Sequence, residues 1–246
     1  MSKSQPNFID ILRLADNFLL SGQRLCEWCG HGPYLEEDLA LSNMALDLLG
    51  SCGELYQYLV DNQDKCSEIV NIDQNRSISV QNLIYFRNER NFKNYTLFEI
   101  PKGHFGMTML KNYLLALYAL EFLEAWDHPL AKKIHLQLSY HEEHCSYWIK
   151  VLSLGSDDTN KSHIKMQQAL DEIAPYLNFL VKDLQQMQFS LLWPSKFFTL
   201  MKDCQLEIIE FKENSGKVKD ESHGEYLGYL LAELQILPRM HPHCNW

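Results

Sequence analysis

The 246-residue sequence holds no apolar run of the roughly 18–20 uncharged residues that a membrane-spanning helix needs, so no membrane partner is expected. It holds no lysine- and arginine-rich block either, and its formal charge is −10. Affinity for a phosphate backbone comes from clustered cations that release counterions, so no nucleic-acid partner is expected. The opening segment, MSKSQPNFID, has no apolar h-region, which predicts no secretory signal and a cytoplasmic location. The seven cysteines are odd in number and scattered, which fits reduced thiols better than a disulfide framework. There is no alternating strand pattern, no repeat, no Gly-rich phosphate loop, no nucleophile elbow and no HExxH.

What is present is helical periodicity, almost throughout. Phe8, Leu12, Ala15, Leu19, Gly22 and Cys26 form one stripe at i, i+3/i+4 spacing. Leu41, Ala45, Leu48, Cys52, Leu55 and Leu59 form a second, on a helix from about 34 to 61. The short His31-Gly32-Pro33 link predicts that these two helices are antiparallel neighbours. A shorter helix is expected over 77–86, then an irregular span over 87–104. Long helices follow over 105–126 and from Pro129 to about Leu154, where Gly155 stops the helix. Further helices are expected near 162–180, 195–213 and 225–237, with Ser195 as an N-cap. Two helical hairpins joined by one longer connection predict an all-α fold. The expectation is a ferritin-like four-helix bundle with additional C-terminal helices, as a single domain over 1–246.

Such bundles often hold two irons through a glutamate from each of two helices and a Glu-x-x-His pair from each of the others. No glutamate in this chain has a histidine three residues on, and the aspartate version occurs only at Asp220–His223, in a polar stretch. The richest segment is LSYHEEHCSYW, residues 138–148. His141 and His144 are i, i+3 neighbours about 60° apart and can both face inward, whereas Glu143 is rotated about 200° from His141 and points away. Two histidines without inward carboxylates suit a di-iron centre poorly, so buried, hydrogen-bonded histidines are expected there. The alternative is an autonomous ferritin-like metal-binding protein or oxidase, using His141 and His144 with carboxylates such as Asp38 or Asp47. The lone Cys26-Glu-Trp-Cys29 lacks the second pair a structural zinc requires, so its cysteines are expected to pack. The terminal HPHCNW is a weak chelating signal. Tyr113, Tyr118 and Phe122 are expected to fill the core.

Four segments carry a resemblance: residues 14–50 (LADNFLLSGQRLCEWCGHGPYLEEDLALSNMALDLLG), 87–105 (RNERNFKNYTLFEIPKGHF), 165–173 (KMQQALDEI) and the C-terminal HGEYLGYLLAELQILPRMHPHCNW. Together they resemble the C subunit family of ring 1,2-phenylacetyl-CoA epoxidase, within the phenylacetate-CoA oxygenases. His223-Gly-Glu225-Tyr226 and the Pro242–Trp246 ending depart from that pattern. The resemblance implies a structural, non-catalytic subunit with no cofactor of its own. It further implies a di-iron centre in a partner catalytic A subunit, with a B subunit and a flavin and iron–sulfur reductase as further partners. The CoA thioester would be bound mainly by the partner. On this reading the ligand pairs have degenerated to Asn43/Leu46 and Gln137/Tyr140. The 87–104 span and the 27–33 corner become candidate interface elements, with Arg87 and Arg90 as charges to reverse.

Overall fold

The computed structural model describes residues 6–66, 76–155, 160–186, 192–208 and 223–244. Among them every regular element is helical, as expected for a ferritin-like chain. The helices are α1 (Phe8–Cys26), α2 (Leu35–Asp61), α3 (Gln63–Cys66), α4 (Val80–Tyr85), α5 (Phe105–Ala125), α6 (Pro129–Leu154), α7 (Lys161–Gln186), α8 (Leu192–Asp203) and α9 (Glu225–Met240), with 3₁₀ turns at Glu89–Asn91 and Thr96–Phe98. The contacts divide the chain into two compact units. One holds α1, most of α2, α3, α4, the irregular span to Pro101, and α9; the other holds the 27–41 segment and α5 to α8.

Local chemistry sets several helix ends. Ser79 caps α4 by accepting the Asn82 N–H at 3.2 Å, and His128 caps α6 by accepting the Leu130 N–H. Pro129 occupies the first turn of α6, where its missing N–H costs nothing. His104 caps α5 by accepting the Met107 N–H through Nδ1. That role requires a neutral ring, and burial, helped by Lys165, pushes the His104 pKa down. Ser195 is not a cap. Helix α8 starts earlier, at Leu192, with Pro194 in a first turn that has no N–H bonds to lose. Helix α8 stops at Asp203, short of the expected 213, where the chain turns through Gln205 at a φ of 57°; the expected 209–213 portion lies outside the described residues. Helix α7 runs on to Gln186, and α9 continues through Pro238 to Met240.

In the first unit, α1 and α2 are antiparallel: Gly22 lies against Ala45 and Leu49, Asp16 against Tyr56, and Phe8 stacks on Tyr58. The α2 stripe is buried at all six expected positions. Helix α1 departs from its single-stripe expectation. It is buried over 10–12 and 14–22, polar Asp10, Asp16, Asn17 and Ser21 included, while Cys26 is exposed.

In the second unit, α5 packs along α6 and is buried nearly all round. Tyr113, Tyr118 and Phe122 fill the core there. The buried stripe of α6 is Ala131, Ile134, Leu138, His141, Cys145, Ile149 and Ser153.

Candidate functional site

Two groups of polar side chains stand out, one in each unit. The first grows from LSYHEEHCSYW on α6. His141 and Cys145 are buried and Glu143 faces outward, following the helical wheel. His144 meets a residue that spacing along the chain does not single out, Glu37 in the first turn of α2. His144 Nε2 lies 3.1 Å from Glu37 Oε2, without the alignment of a hydrogen bond. Glu142 is half-buried. Burial, reinforced by Glu142 and Glu37, pushes the Cys145 thiol far up, and burial beside Glu142 does the same to the Tyr113 hydroxyl. Both groups are thus neutral and inert at physiological pH.

The expected carboxylate partners are engaged elsewhere. Asp38 Oδ1 accepts the N–H groups of His31 (3.1 Å) and Gly32 (2.9 Å), folding the His31-Gly32-Pro33 link, and Asp47 is half-buried on α2. The registered ligand remnants do not form a buried set. Asn43, Leu46 and Tyr140 are exposed, Leu46 at 68% and Tyr140 at 64%, and only Gln137 is partly covered. The Glu-x-x-His spacing counted there runs along the outer helical face, half a turn from the core stripe. Among the described residues no three His, Cys, Asp or Glu side chains converge as a metal ion would require. The described residues therefore gather no ligand set for a di-iron centre.

The CEWC segment also reads differently in three dimensions. Cys26 and Cys29 are both exposed, and the packing residue is Trp28 between them. Trp28 Nε1 donates to Thr108 Oγ1 at 3.0 Å, the ring meets Phe105 edge-on, and Lys102 Nζ sits 4.4 Å from its centroid.

The second group is the irregular span, and it is built around a buried ion pair. Arg87 is fully buried and spends all five guanidinium donors. They go to the Leu83 carbonyl (2.6 Å), to both oxygens of Asp16, to Tyr56 Oη (2.8 Å) and to the Asn91 carbonyl (3.3 Å). Phe92 covers the guanidinium, 4.0 Å from ring centroid to Cζ. Asp16 also accepts the Lys93 N–H at 2.7 Å, and Asn17 accepts the Tyr95 N–H at 2.9 Å. Twelve residues on, Glu99 is fully buried. Its side chain accepts from Asn94 (2.9 Å), from the Gly224 N–H (2.7 Å) and from His223, while its carbonyl accepts twice from Arg24. The span therefore supplies polar partners to the polar face of α1, which explains why that helix is buried all round.

The family described as "Phenylacetic acid catabolic protein" matches residues 2–246. The chain belongs to this family. A relative from Escherichia coli (strain K12), the C subunit of 1,2-phenylacetyl-CoA epoxidase, is 31% identical over 257 aligned residues, which cover 96% of this chain and 97% of the relative. Within this chain the RNERNFKNYTLFEIPKGHF segment carries the buried network: Arg87, Phe92, Asn94, Leu97 and Glu99 are all buried. The segment thus braces its own unit from within, while Asn88, Glu89 and Arg90 stay exposed on it. Reversing the charge of Arg87 would break the fold of its unit rather than report on a partner, whereas Arg90 is exposed. Sequence reasoning missed Asp16, Tyr56, Glu37 and the Glu99–His223 pair. The one available signal was a carboxylate, Asp16, placed inside the apolar run of α1.

Proposed function

We propose that this chain is a structural, non-catalytic subunit of a phenylacetyl-CoA epoxidase of aerobic phenylacetate degradation, working in the cytoplasm. It would pack against the di-iron catalytic subunit that carries the chemistry. The observation that supports this reading is the outer face of α6. Leu136, Tyr140, Tyr147, Val151 and Leu154 are exposed, and at about 100° per residue they share an arc of about 60°. That arc lies opposite the buried stripe, so α6 is apolar on two opposed faces. Tyr34 extends the outer surface by stacking on Trp148, 6.4 Å between centroids. An exposed apolar face opposite a helix's buried stripe is expected where another protein covers it. The relative's name as a lettered subunit supports a heteromeric setting. The lack of a converging ligand set among the described residues supports placing the irons in the partner. The B subunit, the reductase and the CoA thioester would then be engaged mainly through the catalytic subunit.

The test is co-expression with the catalytic subunit, comparing the native chain with a Leu136→Lys/Tyr140→Glu variant. Both side chains are more than half exposed, so the variant should fold normally by circular dichroism. Loss of two central apolar anchors is expected to weaken the complex by roughly 30-fold or more and abolish co-purification. Undiminished co-purification would remove α6 from the interface. Two irons per chain with oxygen-dependent turnover by the isolated protein would overturn the non-catalytic reading in favour of the autonomous metalloprotein.

A further inference from the structure

The start of α9 is fastened by one histidine that lies between two hydrogen-bond acceptors. His223 Nδ1 is 2.5 Å from Glu99 Oε1, and its Nε2 is 3.0 Å from the Phe92 carbonyl oxygen. A neutral imidazole has one N–H and can serve only one of these partners. The carbonyl has no proton to give, so the Nε2 contact needs a proton on the ring. The Nδ1 contact then needs a second proton between the ring and the carboxylate. Glu99 is already an acceptor at both oxygens, from Asn94 Nδ2 at Oε1 and from the Gly224 N–H at Oε2, so the ring is the donor in the Nδ1 contact and carries the second proton. The ring is then an imidazolium, paired with a carboxylate that is fully buried.

We infer that His223 is a proton-dependent latch, which in its doubly protonated form holds the N-terminal end of α9 on Glu99 and Phe92 and lets go when it loses a proton. The charged groups around it agree. Burial opposes the cation, but the hydrogen bond and charge of Glu99, the Phe92 carbonyl and the nearby Glu89 carboxylate outweigh it and raise its pKa. Arg24, the cation bonded to this group, is directed at the Glu99 backbone carbonyl rather than at its carboxylate. Toward the other end of α9, Gln235 and Arg239 hold backbone carbonyls and do not titrate in this range. Gln235 donates to the carbonyls of Ile84 (3.2 Å) and Arg87 (3.1 Å), and Arg239 donates to that of Arg87 (3.2 Å). Loss of the proton should therefore free one end of the helix only. A group whose pKa is raised in the folded state contributes stability fully below its unfolded value and loses it as pH rises through the folded one. The latch is closed in mild acid and opens in base. This inference is independent of the proposed function.

The experiment is amide hydrogen exchange of the full chain between pH 6 and 9, corrected for the intrinsic pH dependence of exchange. Protection in the 225–232 half of α9 should fall about tenfold per pH unit between the ordinary histidine value of about 6.5 and the raised one, then level off. The half of α9 near Gln235, and α5, should stay flat. In His223→Gln, which cannot titrate, and in Glu99→Gln, which removes the paired charge, the pH slope should disappear. A flat profile in the native chain, or an unchanged slope in either variant, would overturn the latch. If neither variant folds, the native profile alone decides.

Discussion

Replacing Arg87 by methionine is the sharpest test of the brace. The substitution keeps side-chain volume roughly constant and removes five hydrogen-bond donors from a site with no access to water. Asp16 would keep the Lys93 N–H and the Tyr56 hydroxyl but lose its counter-charge in a fully buried position. Breaking a buried ion pair by removing one partner costs about 3–5 kcal/mol. That is a large fraction of the roughly 5–15 kcal/mol that holds a domain folded. At about 2–4 °C per kcal/mol for a chain of this size, the melting temperature should fall by roughly 6–20 °C, read by circular dichroism. The companion Asp16→Leu/Arg87→Met variant removes both charges and should recover part of the loss, because the penalty comes from the orphaned carboxylate. Arg90→Glu, three residues on and exposed, should change stability by no more than about 0.5 kcal/mol. A loss below about 1 kcal/mol for Arg87→Met would refute the brace.

Thiol chemistry separates the cysteines by environment. In a Cys66→Ser background, Cys26, Cys29 and Cys244 should react rapidly with a disulfide reagent. Cys52, Cys145 and Cys204 are buried, with thiols pushed up by burial, and should react only on unfolding. Fast labelling of more than three thiols in the native protein would contradict that division. At Gly32 an added Cβ would lie 2.7 Å from Asp38 Cα and 2.8 Å from its N, so backbone must move. Gly32→Ala should cost about 1–3 kcal/mol in urea unfolding, and a neutral result would mean the Asp38-capped link is not fixed.

Much of the helix order is legible along the chain. A stripe at 3.6-residue spacing needs only to be buried on one side, and α2 follows its stripe at every expected position. Pro129 and Gly155 mark the ends of α6 because their backbone constraints act locally. Errors arise where a residue's partner lies far away. Ser195 has the chemistry of a cap, but helix α8 has already begun upstream, where Pro194 suits a first turn. The Asn43/Leu46 and Gln137/Tyr140 registration follows a spacing rule that cannot tell an inner face from an outer one, and three of those four residues are exposed. Cys26 and Cys29 have the character of packing residues, yet the indole between them does the packing.

The sequence by itself determined that this is an all-α chain, where most helices run, and which segments resemble the phenylacetic acid catabolic family, because periodicity, caps and local patterns are encoded within a few residues. Tertiary structure alone decided what the polar residues are for. Asp16 meets Arg87 across 71 positions, Tyr95 donates its N–H to Asn17 across 78, and His223 reaches Glu99 across 124. A carboxylate or histidine in a sequence could equally be solvated, a ligand or a brace. Only the fold determines whether water or another side chain satisfies it, and burial makes that pairing energetically decisive.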